Sequence, residues 1–472
     1  MRQVNRRRGI ALMVGACLAV ALQGCTTGSG TARLVQVHYE PEAEYDNADF
    51  EPQACPSALG GTPPRVDTYD SAPASFGGLV RSATEQGPQS TVRYIFHTHG
   101  MGLTKRCDFT TPLLKALEDR GYRRTAEPST WIPAATRRDW HVRGEALACR
   151  GDDADEPPCL YKSFGDYRFD RLRGDGGDQV VVVSYYWHLD LWRAQYPFLH
   201  DDFQQDPGFI SGPLKHETVG GGLGDAAAYL GDLGIPLREG MATAICAMLQ
   251  DAADLQSRGS SGLETCLAEG EGSRIAPKVQ FGFVSHSLGS RILFDVLTDG
   301  WGVAGPAERR RASQREAYET LAAQTTSFFM AANQLPLLGP GLVSVTAQPP
   351  IPPTALPEHC ANLPSFLALR CVLKSSGDQR LVRDSMLDVV AFHDPGDLLG
   401  YRVSGGMAAA PSGVRFLTVE HRNTPQILWA GSWPLSAHDR ELERQTSIGL
   451  ILCGGVEARG TLRPRVCGSG GR

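Results

Sequence analysis

Ser287 lies in the stretch Val279-Gln280-Phe281-Gly282-Phe283-Val284-Ser285-His286-Ser287-Leu288-Gly289-Ser290-Arg291-Ile292, where a continuous apolar run meets a helical pattern. A serine hydroxyl is a poor nucleophile near neutral pH. It needs a general base to take its proton, and the base needs a carboxylate to orient it. Downstream, His393-Asp394-Pro395-Gly396-Asp397-Leu398-Leu399 offers two carboxylates, and His421 and His438 offer imidazoles. Upstream, the run Val92–His97 ends in Thr98-His99-Gly100-Met101-Gly102. Together these residue types can perform attack of a serine on an acyl carbon.

Such groups need strands and helices to hold them. The runs Val92–His97, Val180–Trp187, Val279–Val284, Thr326–Ala332, Leu387–Phe392 and Phe416–Val419 are apolar without alternation, which predicts strands buried on both faces. Between them, Asp108 can cap a helix through Leu113, Leu114 and Leu117 that stops at Gly121. Helical spacing recurs over Met241–Leu255 and Leu288–Leu297, and a further helical run covers Ile448–Leu452. Strands alternating with helices predict a mostly parallel central sheet with helices on both faces. The stretches 138–178, 190–222, 259–277 and 336–380 read as insertions. The last, with Pro336, Pro340, Pro349, Pro350, Pro352, Pro353 and Pro357, is expected to hold no regular helix.

The Ser-His-Ser-Leu-Gly turn resembles the nucleophile elbow of the α/β-hydrolase family, with Ser285 standing where the family usually has Gly. The resemblance covers roughly residues 90–455. It implies an α/β-hydrolase fold carrying several disulfide-bearing insertions, and a catalytic order of serine, acid, histidine. Ser287 matches the nucleophile. Asp397 matches the acid best, with Asp394 as its rival, and His438 matches the base better than His421, because it lies beyond the last strand and before the last helix. The family's His-Gly loop and elbow imply that the backbone N–H groups of Met101 and Leu288 hold the oxyanion. His97 and His99 are expected to be scaffold, able to hydrogen-bond that loop. The aromatic strand end Ser184-Tyr185-Tyr186-Trp187-His188 either lines an acyl pocket or packs in the core. No metal or organic cofactor is implied.

The chain has 472 residues, 42% hydrophobic and 21% charged, which excludes wholesale disorder and coiled coil. A net charge of −6 argues against a nucleic-acid binder. Arg2, Arg6, Arg7 and Arg8 precede an apolar segment from Ile10 to Leu22, as in an export signal. Leu22-Gln23-Gly24-Cys25 resembles the lipobox of bacterial lipoproteins, which implies cleavage before Cys25 and its acylation. Two or more acyl chains suffice for stable membrane anchoring. The alternative is an ordinary cleaved signal with Cys25 incidental. Loss of four Arg with the signal takes the charge to −10. Thr26 carries no acidic retention signal, which leans towards the outer membrane. No run of 18 apolar residues follows residue 25, so no later spanning helix is expected.

Of twelve cysteines, ten remain after Cys17 and Cys25, an even number suited to an oxidising compartment. Proximity in sequence suggests the pairs Cys149–Cys159, Cys246–Cys266, Cys360–Cys371 and Cys453–Cys467, with Cys55–Cys107 closing a longer loop. The expected organisation is a signal over 1–24, a lipid-anchored tether over 25–90, a catalytic domain over 91–455 and a tail over 456–472. The expected partners are a small-molecule or lipid ester and a membrane, with no nucleic acid and no obligate protein partner.

Two other classes compete. His97-Thr98-His99 at a strand end, with His188, His286 and His393 near later ones, could begin the metal site of an amidohydrolase-like barrel. A hydrolase scaffold can also serve as a non-catalytic binding protein.

Overall fold

In the computed structural model the strands are, in chain order, β1 (Val66–Asp67), β2 (Ser75–Phe76), β3 (Val92–Thr98), β4 (Arg123–Arg124), β5 (Ile132–Trp140), β6 (Tyr161–Arg173), β7 (Gln179–Tyr186), β8 (Val279–His286), β9 (Thr325–Ala331), β10 (Leu387–His393), β11 (Val414–His421), β12 (Gly455–Ala458) and β13 (Thr461–Pro464). The helices are α1 (Arg106–Glu118), α2 (Gly224–Leu230), α3 (Gly234–Ala252), α4 (Leu288–Asp299), α5 (Ala312–Gln324), α6 (Ser365–Ser375) and α7 (Gln445–Cys453). The structure describes residues 66–67, 75–80, 91–101, 106–125, 130–140, 161–187, 191, 223–254, 266–267, 270–299, 312–334, 357, 360, 365–377, 386–394, 397, 399–401, 413–421, 438, 445–458 and 461–467. The signal, Cys25, the early strand expected at Leu34–Tyr39, His188 and the pairs Cys55–Cys107 and Cys149–Cys159 lie outside the described residues or side chains.

All six apolar runs form strands, and these pair in parallel in the order β7-β3-β8-β9-β10-β11. Lack of alternation follows from burial on both sides. One face of the sheet packs Leu113, Leu114 and Leu117 of α1 with Ile448, Leu450 and Ile451 of α7. The other packs Met241, Ile245 and Met248 of α3, Ile292 and Leu293 of α4, and Leu321 of α5. The described chain is therefore a mixed α/β protein built on a mostly parallel sheet.

Several expectations need correction. The stretch 138–178 is not simply an insertion: β6 pairs antiparallel with β7, and β4 and β5 pair with β6, so the sheet is extended at that edge. Polar residues such as Lys162, Asp166 and Arg168 interrupt β6 and hid it, because an antiparallel strand that is not covered on both faces has no need of a wholly apolar sequence. The stretch 336–380 does contain a regular helix, α6, lying beyond all seven prolines that argued against one.

Residues 75–80, expected within the tether, are packed on the sheet domain, and residues 456–458 and 461–467, expected within the tail, are paired rather than free. Phe76, Leu79 and Val80 are buried on the α1–α7 face. The Leu79 and Val80 N–H groups donate to Ile451 O (3.0 Å) and Leu452 O (2.8 Å). Gly78 lies so close to the Cys453–Gly454 backbone that no Cβ would fit. β12 pairs with both β2 and β13, and Cys453 is bonded to Cys467. Asp388 on β10 joins this region to the sheet, accepting from Gly77 N–H (3.0 Å) and from Arg415 Nε (2.8 Å). Glycine-rich composition suggests a linker, whereas here it permits close backbone approach. The pairs Cys246–Cys266 and Cys360–Cys371 are also present, each tying a helix to an irregular segment.

Arg370 on α6 is 1% exposed. Its Nη1 donates to Ala322 O (2.9 Å) and to Ala323 O, at the C-terminal end of α5, where a cation suits the helix dipole. Burial lowers its pKa to about 10, which leaves it charged at neutral pH. Arg370→Met keeps most of the stem but orphans both carbonyls. Denaturant unfolding is expected to show a loss of about 3 kcal/mol.

Candidate active site

In an open parallel sheet a ligand crevice forms at the carboxyl ends of the strands where the chain reverses its direction across the sheet. From β3 the chain passes to β7 on one side, then returns to β8 on the other. The reversal thus falls between β3 and β8, whose carboxyl ends carry Gly100 and Ser287.

At Ser287 the backbone has φ 52°, a left-handed conformation that costs an L-residue about 1–3 kcal/mol and is maintained only by its surroundings. Those surroundings are tight. The Ser287 N–H donates to Ala331 O (2.8 Å), and Ser290 N–H donates to Ser287 O (3.0 Å) as α4 begins. A Cβ added at Gly100 would stand 2.5 Å from Ser287 Cβ, and one at Gly289 would collide with the His99 carbonyl. Both positions therefore require glycine. Ser285 tolerates its side chain because the hydroxyl finds Ser290 Oγ at 3.0 Å and Phe329 O at 3.3 Å.

His438 Nε2 lies 2.6 Å from Ser287 Oγ, and its Nδ1 lies 3.0 and 2.9 Å from the two Asp397 oxygens. A carboxylate accepts, so Nδ1 carries the proton and the Nε2 lone pair faces the serine hydroxyl. Burial alone would raise the Asp397 pKa. The hydrogen bond and charge of His438, with the Leu399 and Gly400 N–H groups, outweigh it and hold the carboxyl below its ordinary value. Leu399 N–H donates to Asp397 Oδ1 at 2.8 Å. The residues are 151 and 41 positions apart in the chain, and all three are buried, at 0% (Ser287), 6% (Asp397) and 5% (His438) exposure.

Asp394, the rival acid, is placed differently. Its backbone carbonyl accepts from Asp397 N–H (2.9 Å), so it shapes the turn that presents Asp397. His421 ends β11 opposite Val66 of β1, with β9 and β10 between β11 and β8. Met101 and Leu288 directly follow the touching residues Gly100 and Ser287. Leu288 opens α4, so its N–H belongs to the helix terminus that has no intrahelical acceptor.

Two histidines have roles that residue type alone left open. His99 Nδ1–H donates to Gly100 O (2.7 Å) while its Nε2 accepts from Trp187 N–H (3.2 Å), so its ring orients the Gly100 loop. His286, read as the variable position of the turn, donates from Nε2 to the His438 carbonyl at 2.9 Å. The only sequence signal for either was histidine at a strand end. Tyr185, Tyr186 and Trp187 are at most 1% exposed and pack as core. Among the described residues no three His, Cys, Asp or Glu side chains gather as metal ligands.

His97 is 2% exposed, with neither ring nitrogen hydrogen-bonded. Burial, reinforced by His286, lowers its pKa to about 3 from an ordinary 6.5. Below pH 6.5 the unfolded chain therefore takes up a proton that the folded chain refuses, and stability falls as pH drops towards 3. At pH 5 this removes roughly 2 kcal/mol relative to pH 8. Denaturant unfolding of wild type and His97→Leu at both pH values checks it, since the variant should lack that part of the loss.

Comparison of the chain with protein-family models, with curated proteins and with solved structures finds no match.

Proposed function

We propose that this chain is a serine hydrolase of α/β-hydrolase type that cleaves carboxylic esters, acyl or lipid-like, through an acyl-serine intermediate. The observation that carries the reading is the hydrogen-bonded series Asp397–His438–Ser287 on a left-handed serine at the sheet's switch point. A plain buried turn has no reason to hold a serine under backbone strain beside an imidazole whose proton is on the far nitrogen.

In the proposed mechanism Ser287 Oγ attacks the ester carbonyl carbon as its proton passes to His438 Nε2. The imidazolium so formed is stabilised by Asp397, which stays ionised because its pKa is depressed. Charge on the carbonyl oxygen is met by the N–H groups of Met101 and Leu288, each worth about 3 kcal/mol when well aimed. His438 then protonates the leaving alcohol. Water, deprotonated by His438, cleaves the acyl-serine and returns the hydroxyl to Ser287. No step calls for a metal or organic cofactor.

The proposed setting is the bacterial cell envelope, with export directed by residues 1–24 and lipid anchoring through Cys25, at the outer membrane in preference to the inner one. The direct test is exposure of the full chain, purified in detergent, to a fluorophosphonate probe, followed by peptide mapping. Labelling at Ser287 is expected; a folded, unlabelled chain would refute the serine mechanism.

A further inference from the structure

His286 occupies the position before the nucleophile, where the turn places no demand on side-chain type beyond room. Its ring nevertheless lies 5.3 Å from the His438 ring, centroid to centroid, at an interplanar angle of 54°. Nε2 stands 2.9 Å from the His438 carbonyl oxygen. A carbonyl oxygen only accepts, so the proton of the neutral ring is on Nε2. Nδ1 faces the other way, towards the His-Gly loop: a Cβ built on Gly100 would stand 2.6 Å from it. One imidazole therefore spans the space between the base and the loop that approaches the nucleophile.

The consequence is geometric. The Asp397 contact fixes the His438 ring about Nδ1, and Ser287 meets Nε2, but neither restrains the His438 backbone. A hydrogen bond to its carbonyl does. His286 is on β8, within the parallel core of the sheet, so the restraint ties His438 to a rigid strand.

From this juxtaposition we propose that His286 is a positioning residue for the ester-cleaving reaction, holding the backbone of the catalytic base to the nucleophile strand. This inference rests on the serine-hydrolase reading. It assigns His286 no contact with substrate and no proton transfer.

The test compares His286→Gln, His286→Asn and His286→Leu in the full chain. From the same Cβ, the amide nitrogen of Gln reaches the place of Nε2, whereas that of Asn reaches only the place of Nδ1. The readout is the fluorophosphonate reaction, separated into probe affinity and the first-order rate of serine modification. A misplacement of about 1 Å in a reacting group costs on the order of 10²-fold, so Leu and Asn are expected to slow the first-order step 10- to 100-fold with affinity little changed. Gln is expected to recover most of that rate. Denaturant unfolding of each variant separates slow chemistry from loss of fold.

If Gln fails to recover the rate while folded as wild type, or if Leu reacts as fast as wild type, the positioning role is overturned and the serine mechanism stands. If wild type itself does not react, the serine reading has failed, and the two failures are told apart by that single control.

Discussion

Ser287→Ala is expected to lower kcat on p-nitrophenyl butyrate by about 10⁶-fold, and His438→Ala by nearly as much, with the double variant no slower than either. Non-additivity is the informative part. A serine without its base is a poor nucleophile, and a base without its serine has only water to activate, so either loss removes the whole covalent route. The 2.6 Å contact between Ser287 Oγ and His438 Nε2 is the physical ground for treating them as one unit. Residual turnover over the uncatalysed reaction should remain, because backbone N–H groups at Met101 and Leu288 survive both substitutions. Steady-state kinetics of the three variants in detergent, with protein shown folded by denaturant unfolding, checks the expectation. Additive losses would mean that the two side chains act separately.

Asp397→Asn is expected to reduce kcat by about 10⁴-fold, and Asp394→Asn by far less. Asn at 397 can present its amide N–H to His438 Nδ1, which would then accept; the proton moves to Nε2, facing the serine with a donor where a lone pair is needed. The carboxylate is also lost as partner to the imidazolium. Asp394 acts on this turn through its backbone carbonyl, which Asn retains. Measuring kcat for both variants between pH 6 and 9 distinguishes the two roles, since a wrong tautomer depresses the whole profile. Equal losses would place both carboxyls in the same chemistry.

The parallel core was legible from residue type because its chemistry is local. Val180–Val183 and Val389–Phe392 are apolar at successive positions, and only a strand covered on both faces uses such a run. β6 was not legible, since its polar residues break any apolar run: Asp170 is buried but paired with Arg168, a contact that residue type alone does not announce. The Gly-rich segment at residues 75–80 and the sequence beyond 455 read as linker and tail because burial of Phe76, Leu79 and Val80 depends on β12 and α7, hundreds of residues away.

For the site the division is similar. Residue chemistry, with the resemblance to a known elbow, was enough to nominate Ser287, Asp397 and His438 and their order along the chain. It left Asp394 as a rival, gave His99 only a general scaffold role beside the His-Gly loop, and gave His286 no task in the serine reading. What decided those points is distance: which carboxyl meets Nδ1, which carbonyl meets Nε2, and which glycine must lack a Cβ beside Ser287. Those distances are set where β3, β8 and the segment carrying His438 converge. A contact between positions 151 residues apart leaves no periodic trace in either neighbourhood, so only the tertiary structure can specify it.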